Sequence, residues 1–301
     1  MKIIHIGLGK AGSTTLQEEI FPRICKRFDL NFINLKKYVD DDNIEYNILE
    51  KHRNIEKKLP NRFIISQEDL IADRSEFVNL ERSFEILKNN FSESTKVLIV
   101  LRNPYDLLNS IFLHNVQTLI AFEEKEFFYI NSNMSFKNYI EGKYNLHKFN
   151  YKNIIKLYSF YFTNLIIVPF EKISNMNFLD ELLENKVDEK FKNELVFIYK
   201  KKKYNKSISK LGVKTFYFLQ KIINLKKIDD YMKINYNKKN KGLLLKIILR
   251  LYWYINLRHL FQRLIDKIEL FYIKYKIEKK NIPINIDELV SEYYKLFNKK
   301  N

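Results

Sequence analysis

The sequence predicts an α/β protein: a parallel β-sheet flanked by helices, with a mainly helical, basic C-terminal third. Three observations lead there. Four short apolar runs fall within the first 175 residues, stretches of helical spacing lie between them, and beyond residue 178 no buried-strand pattern recurs. The runs are continuous rather than alternating, as expected of strands covered on both faces.

The first run is KIIHIG at 2–7, of strand length and ended by Gly7, after which Leu16, Ile20 and Ile24 repeat at helical spacing. RFIISQEDLI at 62–71 and KVLIVLRNP at 96–104 are the second and third, separated by a polar stretch long enough for a helix. Pro104 stops the third, and YDLLNSIFLH after it is helical in spacing. NLIIVPFEKI at 164–173 is the fourth. Helical patterns then occupy 178–199, 207–228, 243–278 and 286–297, with lysine-rich loops at 200–206 and 237–242. No linker-like stretch divides the chain, so residues 1–301 are expected to form one domain, 1–178 as its α/β core and 179–301 as its helical part.

Composition narrows the function. With 301 residues, 46% of them hydrophobic and 15% aromatic, the chain can bury a sizeable core. Its net charge of +17 is local: residues 201–280 carry 22 Lys or Arg against five acids, while the remaining 221 residues balance. Such a charge suits phosphorylated ligands, polyanions or an anionic membrane surface. A single cysteine, Cys25, excludes an internal disulfide and suits a reducing compartment. There is no 18-residue uncharged run, and the opening residues lack a signal-peptide h-region. The expectation is a cytoplasmic protein, soluble or peripheral to a membrane.

Between the first strand and first helix lies GLGKAGSTT, residues 7–15. Backbone N–H groups and the positive end of a helix converge there, which makes it an anion site. Gly9 and Gly12 permit a tight turn, Lys10 brings a point charge, and Ser13, Thr14 and Thr15 bring hydroxyls. A nucleoside-triphosphate loop would place Lys directly after the last Gly. Here Ser13 follows Gly12 and the lysine lies inside the loop, so the charge reaches the anion from another place. The alternative is a turn kept small for tight packing.

This segment resembles the 5′-phosphosulfate loop of sulfotransferases that use 3′-phosphoadenosine 5′-phosphosulfate, PAPS. Gly9 stands where that loop commonly has Pro, and Ala11 where it has a hydroxyl residue. A second stretch, VLIVLRNPYDLLNSIFLH, resembles the family's 3′-phosphate motif, with Arg102 near a strand end and Ser110 eight residues on. Weaker echoes at 62–71 and 164–173 extend the likeness over residues 2 to 175. The resemblance implies a P-loop-like sulfotransferase fold of the bacterial carbohydrate-sulfotransferase kind and a cofactor-binding set of Gly9, Lys10, Ala11, Gly12, Ser13, Thr14, Thr15, Arg102 and Ser110. It also implies sulfuryl transfer from PAPS, with no metal required, to a hydroxyl or amine of a glycan or other small acceptor.

The residues agree with that chemistry. A nucleoside phosphorylated at both ends needs two anion sites, and a parallel sheet can present both at the carboxyl ends of neighbouring strands. Arg102 could fork onto one phosphate while Ser110, a little over two helical turns onward, donates from the same side; alternatively, Arg102 only pairs with an acid such as Asp106. Lys10 is expected to neutralise the leaving 5′-phosphate. Sulfotransferases commonly place a His or Glu base at the end of the intervening strand, where this chain has Glu68, with Asp69 as the alternative carboxylate.

Other candidates carry less. His5 lies within the first strand and is expected to be a core residue; His114, His147 and His259 lack metal-ligand spacing, and Cys25 lacks a partner for nucleophilic work. Residues 243–276 mix apolar and basic side chains, a pattern of either a packed helix with a charged outer face or peripheral contact between 201–280 and an anionic membrane. Two other readings remain open at this point: a P-loop-type kinase with Mg²⁺-dependent ATP binding, and a noncatalytic basic module for polyanions or membranes. No nucleic-acid motif of specific spacing is present.

Overall fold

The computed structural model describes residues 1–8, 10–35, 49, 52–67, 70–71, 80–118, 120–123, 126–129, 136, 140, 149–184, 187–201 and 284–298. The chain divides into two compact units. One comprises Met1–Leu108, Tyr144–Lys206 and Pro283–Asn301, the other Asn109–Lys143 and Ser207–Ile282.

The first unit is built on a five-stranded, all-parallel sheet. Its strands are β1 (Lys2–Gly7), β2 (Asn31–Ile33), β3 (Phe63–Ser66), β4 (Lys96–Leu101) and a last strand, Leu165–Pro169. The four long runs expected to be strands are strands: β1 fills its run, and the other three end short of theirs. The sequence reading missed β2, whose three residues include only one buried side chain, Ile33.

The helices follow in the expected alternation. The first begins as α1 (Ser13–Thr15), continues through a π-helical segment, Leu16–Ile20, and ends as α2 (Phe21–Phe28). Next come α3 (Leu80–Asn90) and α4 (Pro104–Thr118). In the second unit an antiparallel hairpin, β5 (Ile120–Glu123) and β6 (Glu126–Tyr129), follows α4. Back in the first unit are α5 (Tyr151–Ser159), the strand Leu165–Pro169, hereafter β7, a 3₁₀ segment Phe170–Asn175, α6 (Phe178–Leu183), α7 (Glu189–Lys201) and α8 (Ile284–Asn298). The helical patterns at 207–228 and 243–278 lie outside the described residues.

The strand order is β2-β3-β1-β4-β7. The chain moves outward from β1 to one side, returns through β3, and then crosses to β4 on the other side. The order therefore reverses between β1 and β4, and in open parallel sheets the crevice at the carboxyl ends of such a pair is where ligands bind. Register places Gly7 opposite Val100, and Leu101 opposite Pro169. The loops after β1, β4 and β7 thus leave from one edge of the sheet, side by side.

Apolar burial holds this frame. Ile3, Ile4 and Ile6 of β1 and Val97, Leu98, Ile99, Val100 and Leu101 of β4 are all fully buried, each worth roughly 1.5–3 kcal/mol against exposure. Even Lys96, at the start of β4, is buried, its ammonium satisfied by the Leu182 carbonyl at 2.9 Å and by Glu184 at 2.8 Å. Ile99→Ala is expected to cost about 2–5 kcal/mol through lost contacts and a residual cavity. Urea unfolding reads this as a lower midpoint at unchanged slope; a loss below about 1 kcal/mol would contradict the packing described.

Candidate functional site

Three structural devices shape the loop after β1. Lys10 has φ 66° and Gly12 has φ 79°, so the chain turns twice through the left-handed region, and the Ala11 N–H closes onto the Leu8 carbonyl at 3.1 Å. A non-glycine residue in that region costs of order 1–2 kcal/mol, so something must hold Lys10 there. Gly12 has a second reason to be glycine: a Cβ at that position would lie 2.8 Å from the Phe170 ring and 2.9 Å from the Tyr199 hydroxyl. The helix that follows starts at Ser13, which is buried with Thr15, while Thr14 is half-buried. Ala11 is buried. Gly9 lies outside the described residues.

Arg102 is the group that holds Lys10. It follows the last residue of β4, one strand over, and its Nη1 donates to the Lys10 carbonyl at 2.5 Å. The guanidinium lies over the Phe170 ring, 4.8 Å from its centroid, a cation–π arrangement. Its Nε is buried without a hydrogen-bond partner among the described residues. Burial pulls the Arg102 pKa down from its usual value, and Asp106, Glu171, Tyr151 and Tyr199 push it back up. The alternative pairing with Asp106 is thus an electrostatic influence, while the hydrogen bond goes to the loop.

A second set of contacts fixes where Arg102 starts from. The Tyr151 hydroxyl donates to the Arg102 carbonyl at 2.7 Å, and the Tyr293 hydroxyl donates to the Leu101 carbonyl at 3.4 Å and to the Glu171 carboxylate. Burial and the neighbouring Glu171 raise the Tyr293 pKa, keeping it a protonated donor. Asn103 caps α4: its side-chain oxygen accepts from the Tyr105 N–H at 3.0 Å, and Pro104 occupies the first helical position. The Asn103 amide in turn donates to the Tyr294 hydroxyl at 3.2 Å. Ser110 stands on α4 eight residues beyond Arg102, half-buried, and belongs to the second unit.

On the other side of β1, His5 and Ser66 face each other in register, with Nδ1 and Oγ 2.6 Å apart. The Ser66 carbonyl accepts from Gln17 of the π-helical segment at 3.3 Å. Glu68 and Asp69, the candidate bases, lie outside the described residues, as do His147, His259 and the basic segment 202–280. His5 is a core residue, as expected, but only half satisfied: it is fully buried and Nε2 has no hydrogen-bond partner among the described residues.

Burial depresses the His5 pKa to about 3, so the imidazole is neutral in the folded chain. The unfolded chain takes up this proton near pH 6.5, so stability falls as pH drops from 6.5 towards 3, by up to about 1.4 kcal/mol per pH unit. His5→Gln is expected to flatten that slope. Urea midpoints of both proteins at pH 6 and pH 4.5 check it, and equal slopes would remove His5 from the account. Cys25 is buried, its thiol pushed up to about 12, which leaves it inert as a nucleophile.

Lys10 and Arg102, expected at neighbouring strand tips, are therefore in direct hydrogen-bond contact, through the backbone of one and the side chain of the other. Tyr151, Phe170, Glu171, Tyr199 and Tyr293 complete the surroundings and were not foreseen. Phe170 and Glu171 carried one usable signal, since they follow the Pro that ends a strand at this same sheet edge. Tyr199 and Tyr293 carried none, being aromatic positions on helices, where packing is the ordinary role. Among the described residues no three metal-ligating side chains cluster, and no helix is long and apolar enough to cross a membrane.

A solved sulfotransferase shows a distant likeness. It comes from Alicyclobacillus acidocaldarius, is 13% identical, covers 66% of this chain and 91% of its own, and superposes with a TM-score of 0.38. No protein-family model and no curated protein matches the chain.

Proposed function

We propose that this chain is a PAPS-dependent sulfotransferase acting on a hydroxyl or amine, with a carbohydrate the best-suited acceptor. One observation carries the reading. The lysine loop at the tip of β1 and the arginine at the tip of β4 meet at the point where strand order reverses, through the 2.5 Å bond from Arg102 to the Lys10 carbonyl. An arginine seated on the backbone of a lysine-bearing loop suits a donor that carries phosphate at both ends of a nucleoside.

In the reaction so proposed, the acceptor oxygen or nitrogen attacks sulfur in line, its bond to sulfur forms, and the bond from sulfur to the bridging oxygen breaks. The electron pair leaves with the 5′-phosphate of adenosine 3′,5′-bisphosphate. Lys10 neutralises that growing charge, helped by the hydroxyls of Ser13, Thr14 and Thr15 and by the backbone amides of Gly9 and Gly12, while Ala11, its N–H held by the Leu8 carbonyl, keeps the turn closed. Arg102 and Ser110 take the 3′-phosphate, and Glu68 removes the acceptor proton. Positioning and charge supply the rate enhancement, with no metal called for. Residues 201–280 are proposed to face an anionic acceptor or membrane surface from the cytoplasmic side.

Transfer of labelled sulfate from PAPS to a glycan panel, with calorimetric binding of adenosine 3′,5′-bisphosphate, tests the proposal. A folded preparation that does not bind the bisphosphate would end it.

A further inference from the structure

Tyr199 reaches the phosphate loop from a part of the chain with no motif of its own. It lies on α7, which packs against both the π-helical segment after the loop and the 3₁₀ segment that carries Phe170. Its hydroxyl would be 2.9 Å from a Cβ at Gly12, which puts it at van der Waals distance from the turn itself. It is close enough to Arg102 for each to influence the other electrostatically. The side chain is half-buried, yet the hydroxyl makes no hydrogen bond to any described residue.

A phenol that only fills space against a ring and a helix has no need of its oxygen, and a hydroxyl drawn into a partly buried site normally finds a partner. Its described neighbours offer it no free acceptor. Phe170 presents carbon, the Gly12 carbonyl accepts from the Leu16 N–H at 3.3 Å, and the Arg102 guanidinium carries donors only. The Tyr199 hydroxyl is not among the buried atoms left without a partner, so it opens to solvent beside the turn, where an acceptor on a ligand can reach it. Burial raises the phenol pKa to about 12, so it stays a donor throughout the working pH range.

We propose that Tyr199 is a binding residue of this site, its hydroxyl donating to an oxygen of the anion seated at Gly12, which in the reading above is the 5′-phosphate end of the donor. The inference rests on that reading for the ligand's name, but the geometry asks only for an anionic oxygen at the turn. Position 12 must lack a side chain for two reasons at once, the left-handed backbone and the closeness of the Phe170 ring and the Tyr199 hydroxyl.

The test compares three ligands on the full chain by calorimetry: adenosine 5′-phosphate, adenosine 3′-phosphate and the 3′,5′-bisphosphate. Tyr199→Phe keeps the ring and removes one oxygen. It is expected to weaken the 5′-phosphate and the bisphosphate by the same factor, about tenfold, and to leave the 3′-phosphate within twofold. A residue that merely supports the fold would shift all three together and lower the Tm. Tyr199→Leu, which also removes the ring, separates these cases, because it should lower the Tm while Tyr199→Phe does not. If the wild-type chain binds the bisphosphate and Tyr199→Phe binds the 5′-phosphate equally well, the role of Tyr199 is overturned and the donor reading survives. If the wild type binds none of the three, both fall.

Discussion

Lys10→Ala is expected to lower kcat for sulfuryl transfer by about 100-fold to 1,000-fold, while bisphosphate affinity falls by less than about tenfold. The charge of Lys10 matters most when the bridging oxygen takes on the negative charge of the leaving phosphate, so its loss is felt in the transition state more than in the bound ground state. Lys10→Gly sharpens the test. With φ at 66°, the lysine backbone sits where glycine is at ease, so this variant should be as inactive as the alanine and yet more stable, by of order 1 kcal/mol. A thermal melt and an initial-rate assay on the same samples read both. Retention of activity by either variant would remove Lys10 from the chemistry.

Arg102→Ala should fail differently. It removes a cation from the site and also the bond that holds the Lys10 carbonyl, so both donor binding and loop order are lost. Bisphosphate affinity is expected to fall by about 100-fold, a value in line with a charge-assisted contact. Amide hydrogen exchange in residues 8–14 should speed up at the same time, which a purely ligand-binding arginine would not cause. Arg102→Lys should recover little. An ammonium cannot lie flat on the Phe170 ring 4.8 Å away while also donating sideways to a carbonyl, as the planar guanidinium does. Full recovery by lysine would show that charge alone matters.

The contrast between these two residues marks what the sequence could reveal. Lys10, Gly12 and Arg102 were legible because each belongs to a local pattern in which strand, turn and helix start follow within a few residues. The strands were legible for a related reason: KIIHIG, FIIS and KVLIVL are buried on both faces, so continuous apolar runs record them, and LIIVP is equally apolar although Leu165 and Ile167 are half-buried. β2 escaped because an edge strand with one buried side chain leaves almost no trace. The hairpin escaped because the sequence between Glu123 and Glu126 lacks the Gly or Asn that usually betrays a tight turn. Tyr199 and Tyr293 escaped for a third reason. They arrive at the site from 97 and 191 residues beyond Arg102, and no periodicity along a chain encodes what a helix face meets across space. The sequence also pointed Arg102 outward to a ligand, whereas its nearest commitment is to the turn beside it.

The aromatic pair on α8 gives the molecule a temporal order. Tyr293 and Tyr294 supply the hydroxyls on which Leu101, Glu171 and Asn103 lean, and α8 follows every other described element in the chain. A nascent polypeptide can lay down its whole parallel sheet on the ribosome, yet the arginine's platform stays unbraced until residue 294 has been made. Completion of that platform therefore comes after the sheet on which it rests.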